Sequence, residues 1–507
     1  MKNSSNQFDV SDPRNLTMLT DFYELTMGNG YLDNDMDDKI ATFDMYFRRI
    51  PDNGGYGVMA GVAQLLEYIS DLKFTDNDIR YLESLEHFKP EFIDFLRNFD
   101  FTCDVYAIPE GTPVFPNEPL VTVRGPILQA QLLETMVLLT INHQTLITTK
   151  SSRIVRAAAG RGVMEFGSRR AQGYDGAIYG ARAAMIAGCI GTSNTMAGLQ
   201  FDVPVMGTMA HSWVQMFDSE YEAFAAYART YPDKCLLLVD TYNTLLSGIP
   251  NAIKVFDEIV VPQGFRPTGI RIDSGDITYL TQEARILLDE AGYPDVKILV
   301  SNSLDEFIIR DVLSQGAQID SFGVGERLIT ARSEPVFGGV YKLVAVDDRE
   351  GVPQPKIKLS ENEEKITTPA FKKLYRFFSK KDDMALADVL CHHDEVIDES
   401  KPYEIFDPIY TWKKKTLRNF YVKELQVPIF LKGKQVYESP SVKEISVYSK
   451  QELGKLWAEI KRLENPHGYY VDLSAKLWQT KQDLLNELTD EFARMELEEE
   501  QQDAAGR

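Results

Sequence analysis

Residues 269–276 read Gly-Ile-Arg-Ile-Asp-Ser-Gly-Asp, and they decide how the rest of the chain is read. Gly269 to Ile272 is a short apolar run carrying one arginine, too short for a helix and flanked by turn formers, so it is expected to be a strand. Asp273 to Asp276 is a turn, and Asp276 to Glu290 has the apolar spacing of a helix. Moving outward, the same unit recurs. Val163 to Phe166, Val203 to Met206, Leu236 to Val239, Lys297 to Val300 and Ile319 to Phe322 are apolar runs of strand length. Helical segments separate them, including Ala181 to Ala187, Glu220 to Ala228 and Asp305 to Ser314. Repeated strand–helix units of this length imply a parallel sheet. With six or more of them a barrel is the leading choice and a doubly wound open sheet the alternative.

A chain of 507 residues is too long for one core, so several domains are expected. Residues 1–128 mix strands (Ala41 to Phe47, Val105 to Ile108, Leu120 to Val123) with polar helices and read as an α+β domain. Residues 129–345 begin with a long amphipathic helix, 129–158, and hold the strand–helix repeat. Residues 346–441 return to strands, after the strand-like run VYKLVAV from Val340. Residues 442–507 are helical, the last stretch running from Ala475 to Glu499 before an acidic, solvated tail. The polar start, MKNSSNQFDVSDPRN, has no apolar core and is not expected to be a secretory signal. No run is long enough to span a bilayer. Four scattered cysteines fit a reducing, cytoplasmic setting.

The net charge of −22 argues against nucleic acid or anionic membrane as a partner. An anionic substrate must then be held by a locally basic pocket. In parallel α/β folds such pockets form where strands end. The strand ends here carry Phe166-Gly167-Ser168-Arg169-Arg170, Thr208 to Ser212 around His211, Asp240-Thr241-Tyr242, Asp273 to Asp276, Ser301-Asn302-Ser303 and Gly323-Val324-Gly325. Arg169, Arg170 and Arg271 offer planar forks for phosphate or carboxylate. Gly323 and Gly325 free backbone N–H groups near an anion, and Ser301 and Asn302 add small donors. Asp273 and Asp276 are candidates for Mg²⁺ or for sugar hydroxyls, although Asp276 also suits a plain helix cap. His143 reads as structural, and Cys391-His392-His393 as a loop without a metal. No catalytic serine motif, P-loop or dinucleotide fingerprint occurs, and no Schiff-base lysine stands at a strand end. The residues point to catalysis by positioning and electrostatics.

The motifs LTDFYELTM from Leu19, EFGSRRAQG from Glu165, GTSNTMAG from Gly191, GTMAHSW from Gly207, VDTYNT from Val239, RIDSGD from Arg271 and GGVYKLV from Gly338 closely resemble those of nicotinate phosphoribosyltransferases. The resemblance covers essentially the whole chain. It implies an irregular α/β barrel, a sandwich-like N-terminal domain, a C-terminal extension and a homodimer sharing its active sites. It implies nicotinate, 5-phosphoribosyl 1-pyrophosphate and ATP as substrates, with Mg²⁺ as cofactor. His211 matches a histidine phosphorylated by ATP. Arg271, Thr208, Phe166 and Tyr23 match nicotinate-site positions, with Tyr23 reaching in from the partner subunit. Arg169, Asp273, Gly323 and Gly325 match positions around the phosphoribosyl and pyrophosphate groups. Lys342, Lys358 and Lys365 form a basic stretch suited to closing over phosphates. A related nicotinamide enzyme carries an acidic residue where this chain has Asn194. An amide there removes repulsion toward the carboxylate of nicotinate.

Overall fold

The computed structural model describes residues 14–362 and 365–505, so residues 1–13 of the polar start lie outside the described residues. The centre is a six-stranded sheet, parallel throughout, in the spatial order Gly191–Thr192, Gly162–Glu165, Ser321–Val324, Lys297–Ser301, Gly269–Ile272, Leu236–Leu238. The last of these strands in the chain, Ser321–Val324, pairs with an early one, Gly162–Glu165, from Ser321 opposite Gly162 to Val324 opposite Glu165. That pairing is a barrel seam, and it rules out the doubly wound alternative. The barrel is irregular because it stays open elsewhere: beyond Gly191–Thr192 only a single bridge, Thr192 to Val205, continues the sheet. The expected strand at 203–206 is reduced to this bridge. Pro204 lacks the N–H that a ladder needs, and Gly207 follows directly. Gly191–Thr192, two residues without an apolar run, takes its place in the sheet.

Helices follow the strands as their caps dictate. Asp276 accepts from the Tyr279 N–H at 3.0 Å and opens Ile277–Glu290. Asp305 accepts from the N–H groups of Phe307 and Ile308 and opens Glu306–Ser314. Each cap satisfies donors that a helix start leaves orphaned. Glu326–Ile329, after Gly325, is a single turn.

A second sheet is antiparallel, with seven strands in the order Pro353–Pro355, Val340–Asp347, Ile40–Tyr46, Val121–Pro126, Asp104–Ala107, Val427–Leu431, Lys434–Gln435. The boundary expected between residues 345 and 346 falls inside Val340–Asp347, a strand that pairs with Ile40–Tyr46. Residues 427–435 also return to this N-terminal sheet, beside Asp104–Ala107. Pairing over such sequence distances leaves no local signature. The helix expected over 129–158 is split into Ile127–Gln131 and Glu134–Ala157. The longer piece links the two sheets and buries charge as well as apolar groups. Its Lys150 and Arg153 both meet the fully buried Glu306, and its Gln144 accepts from Arg182 of the next long helix, Gly173–Ile186, which also meets Glu110 through two bonds of 2.7 Å. A third, four-stranded sheet contains Lys372–Ser379 and Ala385–His392, and the chain ends in the helix Ala475–Ala505. Cys391 and His392 finish a strand instead of lying in a loop: His392 bonds the Thr480 hydroxyl at 2.9 Å and His393 stacks on Phe371. Among the described residues no helix is long and apolar enough to cross a membrane.

Candidate active site

The strand ends converge as expected. Arg271 leaves its strand with a planar fork that three neighbours hold. Its Nε donates to Ser301 Oγ at 2.9 Å, one terminal nitrogen to Thr208 Oγ1 at 3.1 Å, and the other to Asp273 Oδ1 at 2.9 Å. Ser301 also donates a short hydrogen bond to Asp273 Oδ1. His211 stands at the first position of a one-turn helix, His211–Gln215. Its Nδ1 lies 3.1 Å from Thr241 Oγ1 and its Nε2 lies 3.8 Å from Asp273 Oδ2. The His211 side chain keeps 39% exposure, so a ligand can reach the ring. Residues from four separate chain segments (208–211, 241, 271–273 and 301) thus form one polar cluster.

An aromatic wall adjoins it. The Arg271 guanidinium carbon is 5.7 Å from the centre of the Phe166 ring, within the range of a cation–π contact. Gly323 and Gly325 have a direct use here. A Cβ on Gly323 would lie 2.6 Å from Phe166 Cδ2, and one on Gly325 would lie 3.0 Å from the Phe166 carbonyl oxygen. The two glycines make room for Phe166. Asn302 and Ser303 both have positive φ, 82° and 51°, a costly pair for non-glycine residues.

Other expected residues are placed differently. Arg169 and Arg170 lie on an exposed turn at the mouth of the Phe166 loop, and Arg170 has only a loose contact, 4.0 Å, with Glu326. Asn194 uses its side-chain oxygen to cap Thr195–Phe201, accepting from the Ala197 N–H at 3.0 Å. Tyr23 and Lys342 belong to a second group on the antiparallel sheet and its helices. Tyr23 is exposed on the helix Phe22–Asp33, and partial burial together with Glu134 raises its phenol. Burial pulls the Lys342 ammonium down, Glu134 opposes this, and Arg48 and Lys358 add to it. Lys365 is exposed, its N–H bonding the Asn362 carbonyl.

Two carboxylates, Asp240 at a strand end and Glu165 in its motif, have partners that gave them no role in the sequence alone. Asp240 Oδ2 accepts from the Asp273 N–H at 3.0 Å and from Ser274 Oγ at 2.5 Å, while its Oδ1 is buried with no partner. Its place just past the run Leu236 to Val239 was the available signal. Glu165 is fully buried behind Phe166, and burial raises its carboxyl against the lowering effect of Thr192 and Gly167.

Family models describe three successive parts of the chain: the nicotinate phosphoribosyltransferase N-terminal domain over residues 18–142, the nicotinate phosphoribosyltransferase family over 162–376 and its C-terminal domain over 371–481. A nicotinate phosphoribosyltransferase of Bacillus subtilis is 43% identical over 96% of this chain and 98% of its own length. The chain belongs to the nicotinate phosphoribosyltransferase family. A Mycobacterium tuberculosis member is 37% identical over 91% of this chain and 92% of its own length. The crystal structure of human nicotinic acid phosphoribosyltransferase superposes with a TM-score of 0.82 at 29% identity, covering 92% of this chain and 99% of the human one. Nicotinate phosphoribosyltransferases are enzymes, and this chain, as a member of the family, is one.

Proposed function

We propose that this chain transfers the phosphoribosyl group of 5-phosphoribosyl 1-pyrophosphate to nicotinate, with ATP hydrolysis coupled through a phosphohistidine at His211. The products are nicotinate mononucleotide and pyrophosphate, the entry step of NAD salvage from nicotinate in the cytoplasm. The observation that carries the reading is the Arg271 fork, held by Thr208, Ser301 and Asp273 beside the Phe166 ring. An aromatic face next to a fixed cation suits a flat ring bearing a carboxylate. The pyridine nitrogen attacks the anomeric carbon as the bond to pyrophosphate breaks, and the leaving group departs with the electron pair. The nitrogen is unprotonated at neutral pH, so no base is needed and the site works by orientation. Exposed Arg169 and Arg170 are available to draw phosphates to an otherwise acidic surface.

The donor set fits a hard divalent cation. Asp240 Oδ1 is a buried oxygen without a partner, next to the Asp273 backbone, whereas Asp276 spends an oxygen on its helix cap. Asp240 and Asp273 would hold Mg²⁺. No group of three or more His, Cys, Asp or Glu side chains suited to a metal occurs among the described residues, so water and diphosphate oxygens would complete its shell. The bound ion would supply charge neutralisation for departing pyrophosphate.

A proton on His211 Nδ1 facing Thr241 leaves the lone pair on Nε2, the nitrogen nearer Asp273. That nitrogen takes the γ-phosphoryl group as ADP leaves. Tyr23 and Lys342, on the antiparallel sheet side, suit a site completed by the partner subunit of a homodimer. The test is to follow nicotinate mononucleotide and ADP together in wild type and His211→Ala. Wild type should form both. The variant should retain slow transfer without ATP consumption, and unchanged stoichiometric ADP release would remove His211 from the mechanism.

A further inference from the structure

Glu165 is wholly buried at the end of the strand Gly162–Glu165, between Val324 on one side and Thr192 on the other. It touches none of the groups that would meet substrate, yet its atoms bind two segments beside them, Gly167 and Thr192–Ser193, and through Thr192 a third. Its Oε1 accepts a short hydrogen bond from the Gly167 N–H, on the far side of Phe166. Its Oε2 accepts from the Thr192 hydroxyl at 2.6 Å, and its backbone carbonyl accepts from the Ser193 N–H at 2.9 Å. Thr192 passes the linkage on. Its hydroxyl accepts from the Asn194 N–H at 3.0 Å, and its backbone bonds Pro204 and Met206, two residues short of Thr208. Gly167 has no freedom to compensate, since a Cβ there would lie 2.6 Å from Ile329 and 2.8 Å from the Gly325 oxygen.

We infer that Glu165 is a positioning residue for the pyridine substrate: one buried carboxylate holds the Phe166 wall, the Asn194 cap and the approach to Thr208 in a single register. The inference rests on the reading of Phe166 and Thr208 as the nicotinate-binding wall. The bonds it makes are local to that wall. The Ser301–Asp273 pair on the pyrophosphate side is held by its own hydrogen bond beyond the barrel seam, and Arg169 and Arg170 lie on an exposed turn past the Gly167 bond. Loss of Glu165 therefore acts on nicotinate more than on the diphosphate substrate. A glutamine can restore the linkage, its Oε1 accepting from Gly167 and its amide donating to the Thr192 hydroxyl.

The experiment compares Glu165→Ala, Glu165→Gln, Thr192→Val and Phe166→Ala by steady-state kinetics in both substrates. For Glu165→Ala the KM for nicotinate should rise about tenfold or more, with the KM for 5-phosphoribosyl 1-pyrophosphate within about twofold of wild type. Glu165→Gln should recover most of that loss. Thr192→Val, which keeps the carboxylate and the shape, should give a smaller rise with the same selectivity, and it decides the matter if Glu165→Ala does not fold. An unchanged nicotinate KM, or equal rises for both substrates, would overturn the positioning role. Phe166→Ala separates the two levels. If it leaves the nicotinate KM untouched, the wall itself is misassigned. If it raises that KM while the Glu165 and Thr192 variants do not, only the role of Glu165 is lost.

Discussion

Replacing Gly323 with alanine adds one methyl group at the point where the barrel seam meets the aromatic wall. Gly323 lies in a regular strand without positive φ, so the new side chain meets no backbone penalty. Its Cβ would stand 2.6 and 2.7 Å from two carbons of the Phe166 ring and 3.3 Å from Ser301 Cβ. Carbon atoms rest at about 3.5 Å or more, so the ring must withdraw by about 1 Å. Phe166 is only half buried, which leaves it room to swing outward without breaking the core. The stability loss should therefore sit at the low end for overpacking, about 1 kcal/mol. The catalytic loss should be far larger, because a misplacement of about 1 Å costs about a hundredfold in an orientation-driven reaction. Steady-state kinetics for nicotinate, with thermal melts alongside, give both quantities. A Gly323→Ala enzyme with kcat/KM for nicotinate within about twofold of wild type would refute the stacking geometry and with it the use assigned to this glycine.

Two further outcomes follow from buried and capping carboxylates. Burial raises Glu24 to about 7, against the lowering pull of its bonds from Thr135 and Thr20. A carboxyl raised on folding stabilises the fold below its unfolded value and loses that contribution as pH rises through about 7. Glu24→Gln should therefore raise stability by about 1–3 kcal/mol at pH 8 relative to wild type and change little near pH 4.5; an equal effect at both values in denaturant titrations would disprove the linkage. Asp276→Ala should cost about 1 kcal/mol through the lost cap of Ile277–Glu290 and, on the proposed magnesium reading, leave the dependence of activity on magnesium unchanged. A shift of that dependence toward higher magnesium would return Asp276 to the proposed metal site.

Much of the barrel was legible because its signals are local. Leu236–Leu238, Gly269–Ile272 and Lys297–Ser301 are apolar runs closed by turn residues, and the helices after them announce themselves with Asp276 and Asp305. Gly191–Thr192 was not legible, since two residues carry no periodicity, and the strand expected at 203–206 failed on the missing N–H of Pro204. The residues Arg271, Asp273, Thr208, Ser301 and His211 were named from their positions at strand ends, and they do meet. Asp240 stands among the strand-end residues but had no role of its own, because an acidic residue opening a loop looks ordinary until its unpartnered oxygen is seen against Asp273. Glu165 was passed over because nothing in the motif around it says that it is buried.

The amino-acid order alone determined that strands and helices alternate, where most of the barrel strands stop, and that the stops carry cations, hydroxyls and carboxylates in an acidic chain. Those properties depend on neighbours a few residues apart. Only the tertiary structure decided that Ser321–Val324 pairs with Gly162–Glu165, that Val340–Asp347 returns to the N-terminal sheet, and that Arg182 and Glu110 neutralise each other out of water. Each of these joins residues far apart in the chain. The strand pairings draw their free energy from excluding water between apolar surfaces that do not exist until the chain has closed on itself, whereas the buried ion pair loses hydration and holds because each charge then needs the other.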